Sequence, residues 1–431
     1  MTRALYIHWP FCLKKCPYCD FNSHVRDGVE VDAWQAALIA DMRHEAALAA
    51  GEPLESIFFG GGTPSLMPPA LVAALLAEAE HLWGFAPGIE ITLEANPSSV
   101  EAAAFAGLAA AGVNRVSLGL QSLDDEALHF LGRLHGVEEG LKALDTAQRV
   151  FKRVNADFIY ARPGQTEDDW RAELTSALAL GTDHLSLYQL TIEPGTRFAT
   201  DVRLGAFNPL GDDPAADLFA MTAAMTGAAG LPAYEVSNHA RPGQESRHNL
   251  TYWRYRDYAG IGPGAHGRRG GAATVRHKKP ENWLAAVTEQ SHGISEERVL
   301  DHREQASEAL LMGLRLTEGV DLADISARFG VPIPDLVDAE RLALYNSLGL
   351  VAANGNRLIV SPAGMPLLDA LLGELVQAAR RNEDAALGAR CLQHHVGDRV
   401  GRVHDQVQHH LADLVAEARH RRQVGVERGF K

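Results

Sequence analysis

From Leu5 to about residue 195 the chain alternates short β-rich runs with longer Ala- and Leu-rich stretches, and this alternation constrains its fold most strongly. Candidate strands are Leu5 to Trp9, Ser56 to Gly60, Ile89 to Ala95, Arg115 to Leu120, Val154 to Tyr160 and His184 to Leu190. Between them lie amphipathic stretches such as Trp34 to Ala49, Ala70 to Leu82 and Trp170 to Leu180. Strand and helix repeated six times leave two α/β architectures, a βα barrel or a doubly wound sheet. The polar residues and glycines separate them. A cysteine loop follows the first strand, Gly60-Gly61-Gly62-Thr63-Pro64 follows the second, and Glu94 and Asn96 mark the third. Gln121 follows the fourth, Asp157 lies within the fifth, and Tyr188 and Gln189 end the sixth. Functional groups gathered on one rim from many strands are the TIM-barrel pattern. Six units rather than eight predict a partial, laterally open (βα)6 barrel.

The 431 residues suffice for one large domain and a smaller one. Residues 1–200 are expected to form the barrel. Pro, Gly and Asp punctuate 205–214, a helix is expected over Ala215 to Ala229, and an aromatic, glycine-rich segment covers 246–267, so 201–300 reads as an extension. Residues 301–376 are helical and then strand-like at Leu358-Ile359-Val360, as in a small helical or winged-helix-like domain. From 377 to 431 Arg, His, Gly and Val dominate. Such a His-rich tract is able to bind metal, but it reads better as an appended tail without a defined site.

A net charge of -15 argues against non-specific binding to nucleic acid or to anionic membranes. No apolar run approaches the roughly 18 residues of a transmembrane helix. The first residues run straight into a strand, which leaves no room for a targeting peptide. With few cysteines besides, a reducing cytoplasm is the expected compartment.

Three of the four cysteines fall within Cys12-Leu13-Lys14-Lys15-Cys16-Pro17-Tyr18-Cys19. A CxxxCxxC loop offers three thiolates from one turn, which suits three corners of a [4Fe-4S] cube and leaves the fourth iron without a protein ligand. An open iron is able to chelate the amino and carboxylate groups of S-adenosylmethionine (SAM). This spacing resembles that of the radical SAM superfamily. A structural zinc site using His8 or His24 as a fourth ligand is the competing reading, although zinc sites usually pair their cysteines as CxxC or CxxxxC. A disulfide framework fits less well, because three clustered cysteines cannot pair off. Cys391, in the tail, reads as a free thiol.

The glycine run after the second strand lets backbone groups approach a ligand closely. About fifty residues after the cysteines, it resembles the strand end that holds the SAM amino group in radical SAM proteins. Glu94, Gln121, Arg133 and Asp157 are individually ordinary, since such groups at strand ends are most often solvated or capping. The runs around them, Glu94-Ala95-Asn96-Pro97, Ser117-Leu118-Gly119-Leu120-Gln121-Ser122, Leu131-Gly132-Arg133-Leu134-His135 and Asp157-Phe158-Ile159-Tyr160, resemble the oxygen-independent coproporphyrinogen oxidase family. Pro163-Gly164-Gln165-Thr166 continues the match. The resemblance implies a cluster on Cys12, Cys16 and Cys19, and SAM held by Tyr6, Tyr18, Gly61, Gly62, Thr63, Glu94, Gln121, Arg133 and Asp157. An arginine fork suits a carboxylate. The chain departs from the family at Ala161-Arg162, where Gly-Leu is usual.

Within that family the chain resembles the HemW-type haem-chaperone branch. Phe21 stands where the decarboxylating enzymes carry a further cysteine, and their N-terminal extension is missing. His248-Asn249-Leu250-Thr251-Tyr252-Trp253 matches an HNxxYW motif of the chaperones. A histidine beside two aromatics suits an iron macrocycle, and equally a packed Tyr-Trp pair with a hydrogen-bonded histidine. Gly260-Ile261-Gly262-Pro263-Gly264-Ala265-His266 matches a loop near the SAM site. The resemblance implies a protein that binds [4Fe-4S], SAM and, as cargo, haem through His248. It would deliver haem to respiratory haem proteins, with at most peripheral membrane contact. The alternatives are a coproporphyrinogen III oxidase, which decarboxylates propionate side chains by SAM-radical chemistry, and a zinc-stabilised α/β protein.

Overall fold

The computed structural model describes residues 2–26, 28–49 and 51–376. The tail expected from 377 onward, and Cys391 in it, lie outside the described residues. The chain divides into two compact units between Leu300 and Asp301.

The first unit is built on β1 (Ala4–Trp9), β2 (Leu54–Gly61), β3 (Phe85–Ala95), β4 (Arg115–Gln121), β5 (Arg153–Tyr160) and β6 (His184–Gln189). These pair in parallel in chain order. A doubly wound sheet reverses its strand order at a switch point; these six strands never do, so the barrel reading holds. Helices α1 (Val31–Leu48), α2 (Pro69–Trp83), α3 (Ser99–Ala111), α4 (Asp125–Phe130), α5 (Val137–Val150) and α6 (Glu167–Leu178) connect the strands. Their ends follow local chemistry. Pro69 opens α2, the Ser98 hydroxyl caps α3, and Thr166 with Asp169 forms a capping box on α6.

After β6 come α7 (Arg197–Arg203), α8 (Asp212–Ala228), the short β7 (Asn238–Ala240) and α9 (Arg247–Trp253). The segment read from sequence only as aromatic and glycine-rich contains β8 (Tyr258–Ile261), which pairs in parallel with the free side of β1. Four residues containing a glycine are too few to show a strand period, so this addition is a tertiary event. Strands β9 (His266–Arg269), β10 (Ala272–Arg276) and β11 (Ile294–Val299) extend the sheet antiparallel, with α10 (Pro280–Gln290) between the last two. The sheet runs from β11 to β7 without closing on itself, as an open barrel should.

Strand alternation sorts the barrel into an apolar outside and a polar lumen. Leu5, Ile7, Ile57, Phe59, Leu93, Leu118 and Phe158 pack outward with Leu38 of α1, Leu75 of α2 and Trp170 of α6 in one core. Each such side chain contributes roughly 1.5–3 kcal/mol when fully buried. The opposite face carries buried Ser56, Glu90, Thr92, Arg115, Ser117, Asn155, His184 and Ser186. The segment around β7 and α9 fills part of this lumen. Tyr234 bonds His184, Asn238 bonds Ser186, and the Ser246 hydroxyl and His248 amide both donate to Glu90.

The second unit holds α11 (His302–Gly313), α12 (Leu322–Phe329), α13 (Ile333–Leu336), α14 (Ala339–Ser347) and α15 (Leu368–Leu375). Its sheet comprises β12 (Val320–Asp321), β13 (Val351–Asn354) and β14 (Arg357–Val360), with β14 central. Gly355, at φ 62°, turns the β13–β14 hairpin, the small wing expected near Leu358.

Candidate functional site

The cysteine loop leaves the C-terminal end of β1 and is closed by a two-residue parallel ladder that pairs Phe11 with His24 and Cys12 with Val25. Inside it, the Cys19 amide donates to the Cys16 carbonyl at 3.2 Å. All three cysteines are half-buried and unbridged. Burial raises the Cys12 and Cys19 thiols, the latter to about 11, so they stay protonated until a metal takes the proton's place.

The loop is bound to the strand rim by side chains. The Thr63 hydroxyl donates to Cys12 Sγ at 3.3 Å. Asn96 Nδ2 donates to Thr63 Oγ1 at 3.2 Å, and Asn96 Oδ1 accepts from Arg133 Nη2 at 2.6 Å. Arg133 Nη1 reaches Cys16 Sγ at 3.6 Å and the Tyr18 hydroxyl at 3.4 Å. Gln121 joins this group: a Cβ on Gly119 would stand 2.7 Å from Gln121 Nε2 and 3.3 Å from Arg133 Nη2.

On the other side, His8 Nε2 donates to the Asn22 carbonyl at 2.9 Å, so His8 Nδ1 must accept from the Tyr6 hydroxyl at 3.0 Å. Burial lowers His8 to about 4 and keeps the ring neutral. Both nitrogens are thus committed, which removes His8 as the fourth ligand of a zinc cage. Asn22 Nδ2 also donates to the carbonyls of Pro263 and Lys278, both at 2.9 Å, which sets the Gly262–Gly264 loop against the cysteines.

Gly61 and Gly62 lie between these groups. The Gly61 amide donates to Glu94 Oε2 at 3.1 Å. Any Cβ on Gly62 would stand 2.7 Å from the Phe11 carbonyl oxygen. Glu94 and Asp157 face each other's fields in the lumen. Burial, then the Asp157 charge, raises Glu94 to about 8. Asp157 is also raised by burial, although Ser117 and Asn155 donate to it. Two buried carboxyls under a rim suit a cationic or hydroxyl-bearing ligand.

A carboxyl raised in the folded state stabilises that state only while protonated. Its contribution is complete below the unfolded value of about 4.3 and is lost as pH rises through about 8. Ligand-free protein is therefore expected to lose urea resistance across that window, and Glu94→Gln to flatten the profile. An unchanged slope in the variant would assign the pH dependence elsewhere.

The family departure at Ala161-Arg162 has a structural consequence. Ala161 adopts φ 55°, a left-handed conformation that costs an alanine roughly 1–2 kcal/mol. Arg162 holds the turn by donating to the Ile159 carbonyl and to Glu173, which in turn accepts from Ser122 and the Leu123 amide, just beyond Gln121. Ala161→Gly is expected to stabilise the protein by about 1 kcal/mol, read as a higher urea midpoint. A lower midpoint would show that the turn is not strained.

His248 does not join the rim group. It lies on α9 with 1% of its surface exposed. Its Nδ1 meets Ser56 Oγ at 3.0 Å, its Nε2 meets the Tyr252 hydroxyl, and Phe58 stacks on its ring. The axial haem ligand expected from sequence is here a packed, doubly hydrogen-bonded histidine; ligation would require α9 to move.

The sequence pattern pointed to Asn96 as a rim residue but not to its bridging role, placed Ser117 in a motif without its bond to Asp157, and overlooked Asn155. Polar residues two apart on strands, as in Tyr6/His8 and Asn155/Asp157, carried the usable signal. Asn22 offered none, because the carbonyls to which its Nδ2 donates lie more than 200 residues away.

Residues 6–176 match the radical SAM superfamily, and residues 300–367 match the HemN C-terminal domain. The heme chaperone HemW of Mycobacterium tuberculosis is 36% identical over 377 residues, 86% of this chain and 94% of that protein. Escherichia coli HemW is 43% identical over 62% of this chain and 70% of its own length. The bovine mitochondrial radical S-adenosyl methionine domain-containing protein 1 is 42% identical over 74% of each chain. The crystallised Escherichia coli coproporphyrinogen III oxidase HemN shares the fold, with a TM-score of 0.73 and 23% identity over 86% of this chain and 88% of that one. A cysteine loop beside a glycine strand end on an open barrel thus occurs in a sequence that matches 94% of the Mycobacterium tuberculosis chaperone, and the chain belongs to the HemW-type haem-chaperone family of the radical SAM superfamily.

Proposed function

We propose that this protein is a haem chaperone that holds a [4Fe-4S] cluster on Cys12, Cys16 and Cys19, binds SAM at the adjoining rim, and carries haem to respiratory haem proteins. The observation that carries the reading is the side-chain chain Cys12–Thr63–Asn96–Arg133–Cys16, which joins the metal-binding loop to the strand ends. When bound, the cluster would supply one open iron for the SAM amino and carboxylate groups. Gly61, Gly62 and Thr63 line the approach, Arg133 brings a positive charge beside the carboxylate while its terminal nitrogens hold Cys16, Tyr18, Asn96 and the Gly119 carbonyl, and Glu94, Gln121 and Asp157 offer oxygens and an amide to the ammonium and ribose. Tyr6 and Tyr18 flank the site. In this reading residues 1–200 carry the cofactors, 201–300 extend the sheet and fill the lumen, and 301–376 form the C-terminal domain. Among the described residues no helix is long and apolar enough to cross a membrane. We place the protein in the cytoplasm with at most peripheral membrane contact.

One anaerobically reconstituted sample tests the reading. SAM is expected to bind, and Arg133→Ala to weaken it roughly ten- to a hundredfold, the cost of a lost ionic hydrogen bond. Haem is expected to bind without conversion of coproporphyrinogen III in the presence of SAM and reductant. Turnover to protoporphyrinogen would establish the decarboxylase instead. Identical haem spectra for wild type and His248→Ala would remove His248 from the haem site.

A further inference from the structure

Each cysteine sulfur faces a side-chain donor, and Ser23 serves Cys12 as well as Cys19. Thr63 Oγ1 lies 3.3 Å from Cys12 Sγ, Arg133 Nη1 lies 3.6 Å from Cys16 Sγ, and Ser23 Oγ lies 3.9 Å from Cys19 Sγ. The three come from separate segments: the loop after β2, the loop after α4 and the cysteine loop itself. Their orientations are constrained. Asn96 Nδ2 donates to Thr63 Oγ1, so the single hydroxyl proton of Thr63 is left for the sulfur. Arg133 is steadied by Asn96 Oδ1 and the Gly119 carbonyl, which turns Nη1 to Cys16. A metal-bound thiolate carries no proton, so on cluster binding Ser23 must be the donor to Cys19.

We propose that Thr63, Arg133 and Ser23 act as a set of donors to the three sulfurs that raises the reduction potential of the cluster. The inference rests on the cluster reading above. Reduction adds negative charge to the irons and their thiolates. Donors to sulfur therefore stabilise the reduced state more than the oxidised one, and a guanidinium does so more than a hydroxyl. Asn96 is a positioning residue for two of the three donors.

The test is an EPR-monitored redox titration of the reconstituted full chain without SAM, with iron and sulfide quantified in every sample. Thr63→Val and Ser23→Ala are each expected to lower the reduced-to-oxidised ratio at fixed potential roughly tenfold, a negative shift of about 59 mV for a one-electron couple. Arg133→Gln is expected to shift it further, and Thr63→Ser to restore the wild-type midpoint. Unmoved or more positive midpoints in cluster-loaded Thr63→Val and Ser23→Ala would overturn the proposal. If Arg133→Gln takes up no cluster, the two hydroxyl variants decide. A wild-type protein without a cluster would instead overturn the cluster reading, before any variant is compared.

Discussion

Alanine at Cys12, Cys16 or Cys19 is expected to abolish iron–sulfur cluster uptake, leaving colourless protein where the wild type, reconstituted anaerobically, is brown and bleached by dithionite. The effect should be all or none, because a cube held at three corners loses a third of its protein ligands with each substitution and gains no substitute. His8 cannot step in, with its nitrogens bonded to Tyr6 and Asn22. Cys391→Ala should remain as brown as wild type, since the three thiolates of the Cys12–Cys19 loop are the proposed protein ligands and Cys391 is not among them. The measurement is iron and sulfide content together with the absorption spectrum. A wild-type protein that stays colourless and retains stoichiometric zinc after reconstitution would sink the cluster assignment and revive the zinc-stabilised alternative.

Gly61→Ala should be a strongly damaging single methyl group at the rim. The residue sits at φ 112°, a conformation essentially reserved for glycine, and the added Cβ would lie 2.5 Å from Cε1 of His8. The imidazole cannot swing aside without breaking its bonds to the Tyr6 hydroxyl and the Asn22 carbonyl. Backbone strain of roughly 1–3 kcal/mol adds to overpacking of roughly 1–3 kcal/mol, so a loss of about 2–6 kcal/mol is expected, a large fraction of an ordinary domain's stability. Gly88 is a matched control: its φ is 67° and nothing lies within 4 Å of its added Cβ. Gly88→Ala should cost only the strain, about 1–2 kcal/mol. Urea unfolding of both variants checks this, and equal losses would show that His8 does not press on Gly61. SAM affinity should fall in Gly61→Ala alone, because only that variant disturbs the amide bonded to Glu94.

The sequence by itself determined the barrel and the location of its working rim. Both are written in local periods: strand runs separated by helical runs, with glycines, carboxylates and amides recurring at strand ends. The strand order then follows from short right-handed crossovers, which leave consecutive strands adjacent. The three cysteines were equally legible, because their spacing alone brings three sulfurs to one turn. Only the tertiary structure decided which polar groups meet. Asn96 joins Thr63 to Arg133 because β3 places its amide between two loops that are remote in sequence. Asn22 seals the cysteine loop to carbonyls that follow β8 and β10, and β8 was itself invisible to any local period. His248 shows the same limit in the opposite direction. A histidine followed by Tyr252 and Trp253 reads equally as a ligand or as a packed, hydrogen-bonded residue in one dimension, and folding the segment into the lumen sets its ring nitrogens against Ser56 and Tyr252. A buried polar atom takes whatever partner the packed chain brings within about 3 Å, and that proximity is set by the assembled sheet rather than by neighbours along the chain.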